Sequence, residues 1–244
     1  MAPYKSTIAY DGTDFFGFQR QSSERTVQLE LENALQALGW TGKSILFSGR
    51  TDKGVHAEGQ VIAFDLDWSH NEYDLVKALN DYLPSDVTAV TAEKVSESFH
   101  PRFDASLRCY RYQIYNSFIR NPLLERYYWR VWPEPKQEIL KKAASLILGK
   151  HDFRRFGKPP DEGTTTVRTI EKSEWEISDD GYLTYRISSK AFLYHMVRRI
   201  VFLLVRIAQG RIELTDLADG IKDGKDLPAG IAPANGLFLE KIIY

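Results

Sequence analysis

A chain of 244 residues with 43% hydrophobic and 27% charged residues holds enough apolar side chain for one large core or two of ordinary size, which excludes intrinsic disorder and fibrous repeats. Its formal net charge of −1 argues against a protein that grips nucleic acid over its whole surface. The single Cys109 excludes an intramolecular disulfide, and no basic-plus-apolar leader opens the sequence, so the expected compartment is the reducing cytoplasm.

Tyr4 to Tyr10 combines β-branched and aromatic residues and ends at Asp11-Gly12, which predicts an opening strand and a turn. Thr26 can cap a helix in which Val27, Leu31, Ala34, Leu35 and Leu38 recur at helical spacing up to Gly39. Ile45 to Ser48 and Gln60 to Leu66 read as strands around a glycine-punctuated segment. Leu75, Val76, Leu79 and Leu83 mark a second helix closed by Pro84, and a strand follows within Val87 to Val95. This β-α-β-β-α-β series is the order of a ferredoxin-like unit.

Beyond a strand at Leu107 to Asn116, a Pro-rich stretch (Trp132 to Pro135) precedes a helix through Ile139, Ala143, Leu146 and Ile147 that Gly149 stops. Thr166 to Ile177 and Tyr182 to Ser188 flank Asp179-Asp180-Gly181, the pattern of a hairpin. A long helix then runs from about Phe192 to Gln209, Gly210 lies past its end, and Gly236 to Tyr244 closes as a strand. Pro159 to Gly163 reads as an exposed loop. The expected fold is α+β, two ferredoxin-like or RRM-like units with mainly antiparallel sheets joined across a central cleft. Residues 1–105 would form the N-terminal domain and 106–244 the C-terminal one. The most apolar stretch, Phe192 to Ala208, carries His195, Arg198, Arg199 and Arg206, so no membrane span is expected.

Charge is segregated along the chain. Lys190, Arg198, Arg199, Arg206 and Arg211 form a stretch without acids, and Glu213, Asp216, Asp219, Asp223 and Asp226 follow it. Between Arg102 and Arg130 six arginines stand against Asp104 and Glu125, interleaved with Phe103, Tyr110, Tyr112 and Tyr115. That mixture suits phosphate and base contacts, and it equally suits solvated arginines on a strand face.

Glycines at 49, 54 and 59 bracket the polar segment Arg50-Thr51-Asp52-Lys53 between two apolar strands. The segment lacks both GxGxxG and Gly-Lys-Ser/Thr, so neither dinucleotide nor P-loop binding is supported. A loop on rigid strands is a common seat of function, but by residue type alone a plain turn, with Asp52 bonded to its own backbone, is the simpler reading. The histidines at 56, 70, 100, 151 and 195 show no metal-ligand spacing, and no metal or cofactor is expected.

The segment GRTDKGVHA (49 to 57) is also where a family becomes visible. It resembles the active-site motif Gly-Arg-Thr-Asp-x-Gly-Val-His of the tRNA pseudouridine synthase A family, with every fixed position present. The resemblance continues through YDGTDFFGFQRQ (10 to 21), GQVIAFD (59 to 65), FHPRFDAS (99 to 106), RCYRYQIYN (108 to 116), HDFRRF (151 to 156), FLYHMVRRIV (192 to 201) and PANGLFL (233 to 239). It implies an enzyme that isomerises uridine to pseudouridine at positions 38, 39 and 40 of the tRNA anticodon stem-loop, with tRNA and a second copy of the chain as partners. Asp52 is the implied catalytic carboxylate, adding to C1′ or to C6. A carboxylate drawn into a dry pocket ionises readily only beside a cation, and Arg198 is the implied partner. Arg50 is implied to hold the flipped nucleotide, Tyr110 to stack on the uracil and help remove the C5 proton, and Leu237 to close the pocket. His56 is expected to shape the loop, and Lys53, at the variable position, to contact phosphate or face solvent. Arg154 and Arg155 stand where small polar residues are usual in the family, which touches RNA affinity. Two other classes fit part of the pattern: a non-catalytic RNA-binding protein, and a glycosidase, which normally needs a second carboxylate that this loop lacks before Glu58.

Overall fold

The computed structural model describes residues 1–159 and 163–244; of the loop expected over Pro159 to Gly163, residues 160–162 lie outside the described residues. In chain order the elements are β1 (Ala2–Tyr10), α1 (Val27–Ala37), β2 (Leu46–Phe47), β3 (His56–Leu66), α2 (Glu72–Tyr82) and β4 (Val87–Lys94). They continue with β5 (Leu107–Asn116), β6 (Trp129–Val131), α3 (Gln137–Ser145), β7 (Gly149–Asp152), β8 (Val167–Ile177) and β9 (Leu183–Ser189). Last come α4 (Met196–Ala208), α5 (Leu214–Lys222) and β10 (Leu237–Ile243). The chain divides into two compact units, residues 1–106 with 238–244 and residues 107–237.

In the first unit β1 lies between β3 and β4, antiparallel to both. The free edge of β3 takes β2 at Ile62 and Ala63, antiparallel, and β10 at His56 and Ala57, parallel. The terminal strand, expected in the C-terminal domain, therefore joins the sheet of the N-terminal one. Alternation puts Tyr4, Ile8 and Tyr10 of β1 on the buried face, and α1 and α2 contribute Val27, Leu31, Leu35, Leu75 and Leu79 to the core. Each such side chain, fully buried, is worth about 1.5–3 kcal/mol. Asn71 caps α2 by accepting from the Asp74 N–H at 2.9 Å, whereas Thr26 starts α1 without a capping bond from its hydroxyl. Gly39, at φ 90°, ends α1 in a conformation that glycine adopts without steric cost.

In the second unit the sheet runs β6-β5-β9-β8-β7. β8 and β9 form the expected hairpin, with Gly181 at φ 79° in the turn. β6, β7 and α5 are additions to the sequence reading. The two strands are too short for a periodicity, and the acidic residues of 213–226 masked the spacing of Leu214, Leu217 and Ile221. α4 begins at Met196, four residues later than expected. His195 stands before it at φ 64°, and Tyr194 bridges Lys158. Among the described residues no helix is long and apolar enough to cross a membrane.

Candidate active site

Asp52 stands, half-buried, between the end of β2 and the start of β3. The segment that carries it ends at Val55, since His56 and Ala57 already pair within the sheet. Its backbone is pinned by the stretch after β1. The Phe18 N–H donates to the Thr51 carbonyl at 3.1 Å, the Gly54 N–H to Phe15 at 3.3 Å, and the Val55 N–H closes a tight turn on Asp52 at 3.1 Å. Gly54, at φ 77°, allows that turn. The hydroxyls of Tyr10 and Thr51 are 2.7 Å apart in the interior.

The approach is close enough to require glycine on the opposing strand of chain. A Cβ on Gly12 would lie 2.0 Å from the Val55 carbonyl oxygen, and one on Gly17 would lie 2.8 Å from that of Thr51. His56, 1% exposed, accepts from the Gly12 N–H at 3.0 Å and stacks on Phe238 with centroids 4.6 Å apart. Gly59 has a packing reason as well: its Cβ would meet the Glu240 carbonyl of β10 at 2.5 Å. Sequence reasoning read Tyr10, Gly12 and Gly17 as strand, turn and motif residues; the glycines were visible, but the segment they face was not. Arg50 and Lys53 are exposed, and the Lys53 ammonium lies 3.4 Å from the Phe16 ring centroid, a cation–π contact.

The second unit holds the other candidate residues. Tyr110 on β5 is 9% exposed and meets Phe192 edge-on at 5.3 Å. Arg198, in the first turn of α4, donates through Nε to the Ala232 carbonyl at 2.8 Å, and its own carbonyl accepts from the Ala232 N–H. Arg199 donates to the carbonyls of Gly230 and Leu227. Burial lowers the pKa of Arg199, as expected for a cation held among carbonyls instead of carboxylates. The Tyr112 hydroxyl donates to the Pro233 carbonyl at 2.7 Å, Gly236 packs where a Cβ would strike the Tyr112 ring, and Asn235 donates to the Glu125 and Tyr128 carbonyls. Leu237, 5% exposed, follows directly. Arg198, Tyr112 and the stretch 232–237 are thus tied into one assembly. Burial drives the Tyr112 hydroxyl well above the usual phenol range, and the Arg198 charge opposes it.

Tyr112 and Tyr115, interleaved in sequence with the arginines of 102–130, are 0% and 4% exposed. The basic stretch 190–211 is also more internal than its composition suggests, because Arg198 and Arg199 hold backbone carbonyls and Arg206 bonds Gln209 and covers Phe202. Arg50 and Asp52 belong to the first unit, and Tyr110 and Arg198 to the second, which Leu237 ends. Among the described residues no group of three or more His, Cys, Asp or Glu is placed to hold a metal ion.

The sequence matches the tRNA pseudouridine synthase family over residues 7–104 and 143–244. It is 41% identical over 245 residues to a tRNA pseudouridine synthase A of Bacillus licheniformis, covering 98% of both chains. A second protein of that name, from Fervidobacterium nodosum, is 39% identical over 97% of both. A third, from Dictyoglomus turgidum, is 40% identical over the full length of both.

Proposed function

This chain belongs to the tRNA pseudouridine synthase family, a family of isomerases, and from that premise we propose that it converts uridine to pseudouridine at positions 38, 39 and 40 of the tRNA anticodon stem-loop, with Asp52 as the nucleophile. The observation that carries the choice of Asp52 is its setting: a half-buried carboxylate in a segment whose flanking backbone is held at Thr51, Gly54 and Val55. Pre-organisation of that kind is what a nucleophile needs and what a solvated turn lacks.

The reaction breaks the N1–C1′ bond, turns the uracil and joins C5 to C1′; C5 loses its proton and N1 gains one, with no redox change. A uridine in a stem is out of reach until it is flipped from the stack, at a cost of a few kcal/mol. Arg50, exposed and two residues before Asp52, holds the flipped nucleotide. Arg198 supplies the positive charge that partners the Asp52 carboxylate. Tyr110 stacks on the uracil and assists loss of the C5 proton, and Leu237 closes the pocket. These roles rest on the family resemblance, as does a homodimeric state; a cytoplasmic location rests on the single cysteine.

The test is tritium release from tRNA labelled at uridine C5, followed by mapping of the product. Wild-type protein should release tritium, and Asp52→Ala none. Absence of release from every competent tRNA would leave a non-catalytic RNA-binding protein, and free uracil in the medium would indicate a glycosidase. Full activity of Asp52→Ala refutes the nucleophile, and modification outside positions 38–40 refutes the substrate site.

A further inference from the structure

Gln60 sits in the middle of β3, fully buried, opposite Ile8 of β1 and followed by Val61, Ile62, Ala63 and Phe64. A carboxamide there costs several kcal/mol unless its polar atoms are bonded. Both ends of the carboxamide reach the entry to the Asp52 segment. Its Oε1 accepts from the Ser48 hydroxyl at 2.6 Å and from the Val61 N–H at 3.2 Å, and its Nε2 donates to the Gly49 carbonyl at 2.8 Å. Ser48, itself fully buried, is further anchored by its N–H on the Val61 carbonyl at 2.9 Å.

The bond to Gly49 has a specific consequence. The Gly49 carbonyl and the Arg50 N–H lie in one rigid peptide plane. Glycine at 49 would otherwise let that plane turn with little steric resistance. Gln60 therefore sets the plane from which Arg50 departs. On the other side Thr51 is held by the Tyr10 hydroxyl and the Phe18 N–H. Arg50 is a single exposed residue between two hydrogen-bonded anchors, the half-buried Gly49 and the buried Thr51.

We infer that Gln60 is a positioning residue for Arg50, acting through the Gly49–Arg50 peptide. The inference rests on the proposed role of Arg50 in holding the flipped nucleotide. Gln60 does not touch the substrate. It holds the backbone of the residue that does, so that, once tRNA is bound, the side chain meets the flipped nucleotide from a prepared direction.

The test is a mutant cycle of Gln60→Met, Arg50→Ala and the double variant, read as kcat and KM for tritium release together with thermal unfolding. Methionine keeps the length of the side chain and cannot donate to Gly49. The expected result is a kcat lowered about tenfold or more with KM for tRNA changed little, as for a misplaced catalytic group, and a double variant no slower than Arg50→Ala alone. Should Gln60→Met not fold, Ser48→Ala frees the carboxamide to turn while leaving it in place and completes the same cycle. Losses that multiply in the double variant, or that track the unfolding temperature, overturn the inference while leaving the proposed function intact. A wild-type protein inactive on tRNA, or an Arg50→Ala variant of normal rate, refutes the underlying reading instead.

Discussion

Gly12→Ala offers a quantitative test of how the Asp52 segment is held. The added methyl would sit 2.0 Å from the Val55 carbonyl oxygen and 2.5 Å from its carbon. Both partners are backbone, so no rotamer change relieves the contact, and the two chain segments must part by about 1 Å to reach even 3.0 Å, a separation that real Cβ atoms rarely breach. Val55 is bonded through its N–H to the Asp52 carbonyl at 3.1 Å, and Gly12 itself donates to His56. The displacement is thereby passed to the carboxylate. A misplacement of 1 Å can cost about 100-fold in rate, and that is the loss expected in kcat, measured as tritium release at saturating tRNA well below the unfolding temperature. Gly39→Ala is the control. Gly39 has φ 90° and nothing within 4 Å of an added Cβ, so the substitution strains the backbone by about 1–2 kcal/mol without touching the segment. It should lower the unfolding temperature and leave kcat alone. Normal turnover by Gly12→Ala, or equal losses in both variants, would refute the reasoning.

Alkaline stability should depend on Tyr112 and Tyr185, whose hydroxyls burial drives above their ordinary value. The folded state then binds protons more tightly than the unfolded one, so their contribution is intact below pH ~10 and is lost as pH rises past it. Absorbance titration should show these two tyrosines ionising only with unfolding, and Tyr185→Phe should remove part of that alkaline loss. At the acid end, the Thr166 hydroxyl, helped by the Arg154 N–H and charge, holds the Asp152 carboxyl below its ordinary value. Its stabilisation is present above pH ~4 and lost as pH falls; Asp152→Asn should flatten that limb of the stability curve, and an unchanged limb would contradict the assignment. Arg25 grips both oxygens of Asp86 at 2.7 and 2.9 Å, bonds Glu30 and covers the Phe15 ring. With these groups partly exposed, Arg25→Ala should cost about 1–2 kcal/mol in denaturant unfolding. Arg25→Lys should recover less than half, because an ammonium cannot match the fork, and full recovery would count against the bidentate geometry.

Much of the secondary structure was legible because it obeys simple periods. β5 and the β8–β9 hairpin lie close to where alternation and turn residues put them, as do α1 and α2. The misses have local causes. α4 starts late because residues 192–195 are held outside the helix, with His195 at φ 64° and Tyr194 bridging Lys158, and apolar content continues smoothly across that break. β3 starts early, at His56, because its first residues pair with a strand almost two hundred positions away and carry no alternation to announce it.

For the candidate site, the sequence by itself determined which residues were worth attention. A motif of fixed residue types marks Arg50 and Asp52, and ordered motifs along the chain mark Tyr110, Arg198 and Leu237, since residue identity is what a motif preserves. The tertiary structure alone decided what holds them. The glycines at 12 and 17, the Tyr10 hydroxyl and the Gln60 carboxamide act on residues 48–55 from other segments of the chain, and Tyr112 and Asn235 fasten the stretch before Leu237. Their roles depend on hydrogen bonds of 2.6 to 2.8 Å and on backbone approaches too close for a side chain, made between separate segments of the chain. Such distances are set by the packing of backbone on backbone, and no local pattern of residue types encodes them.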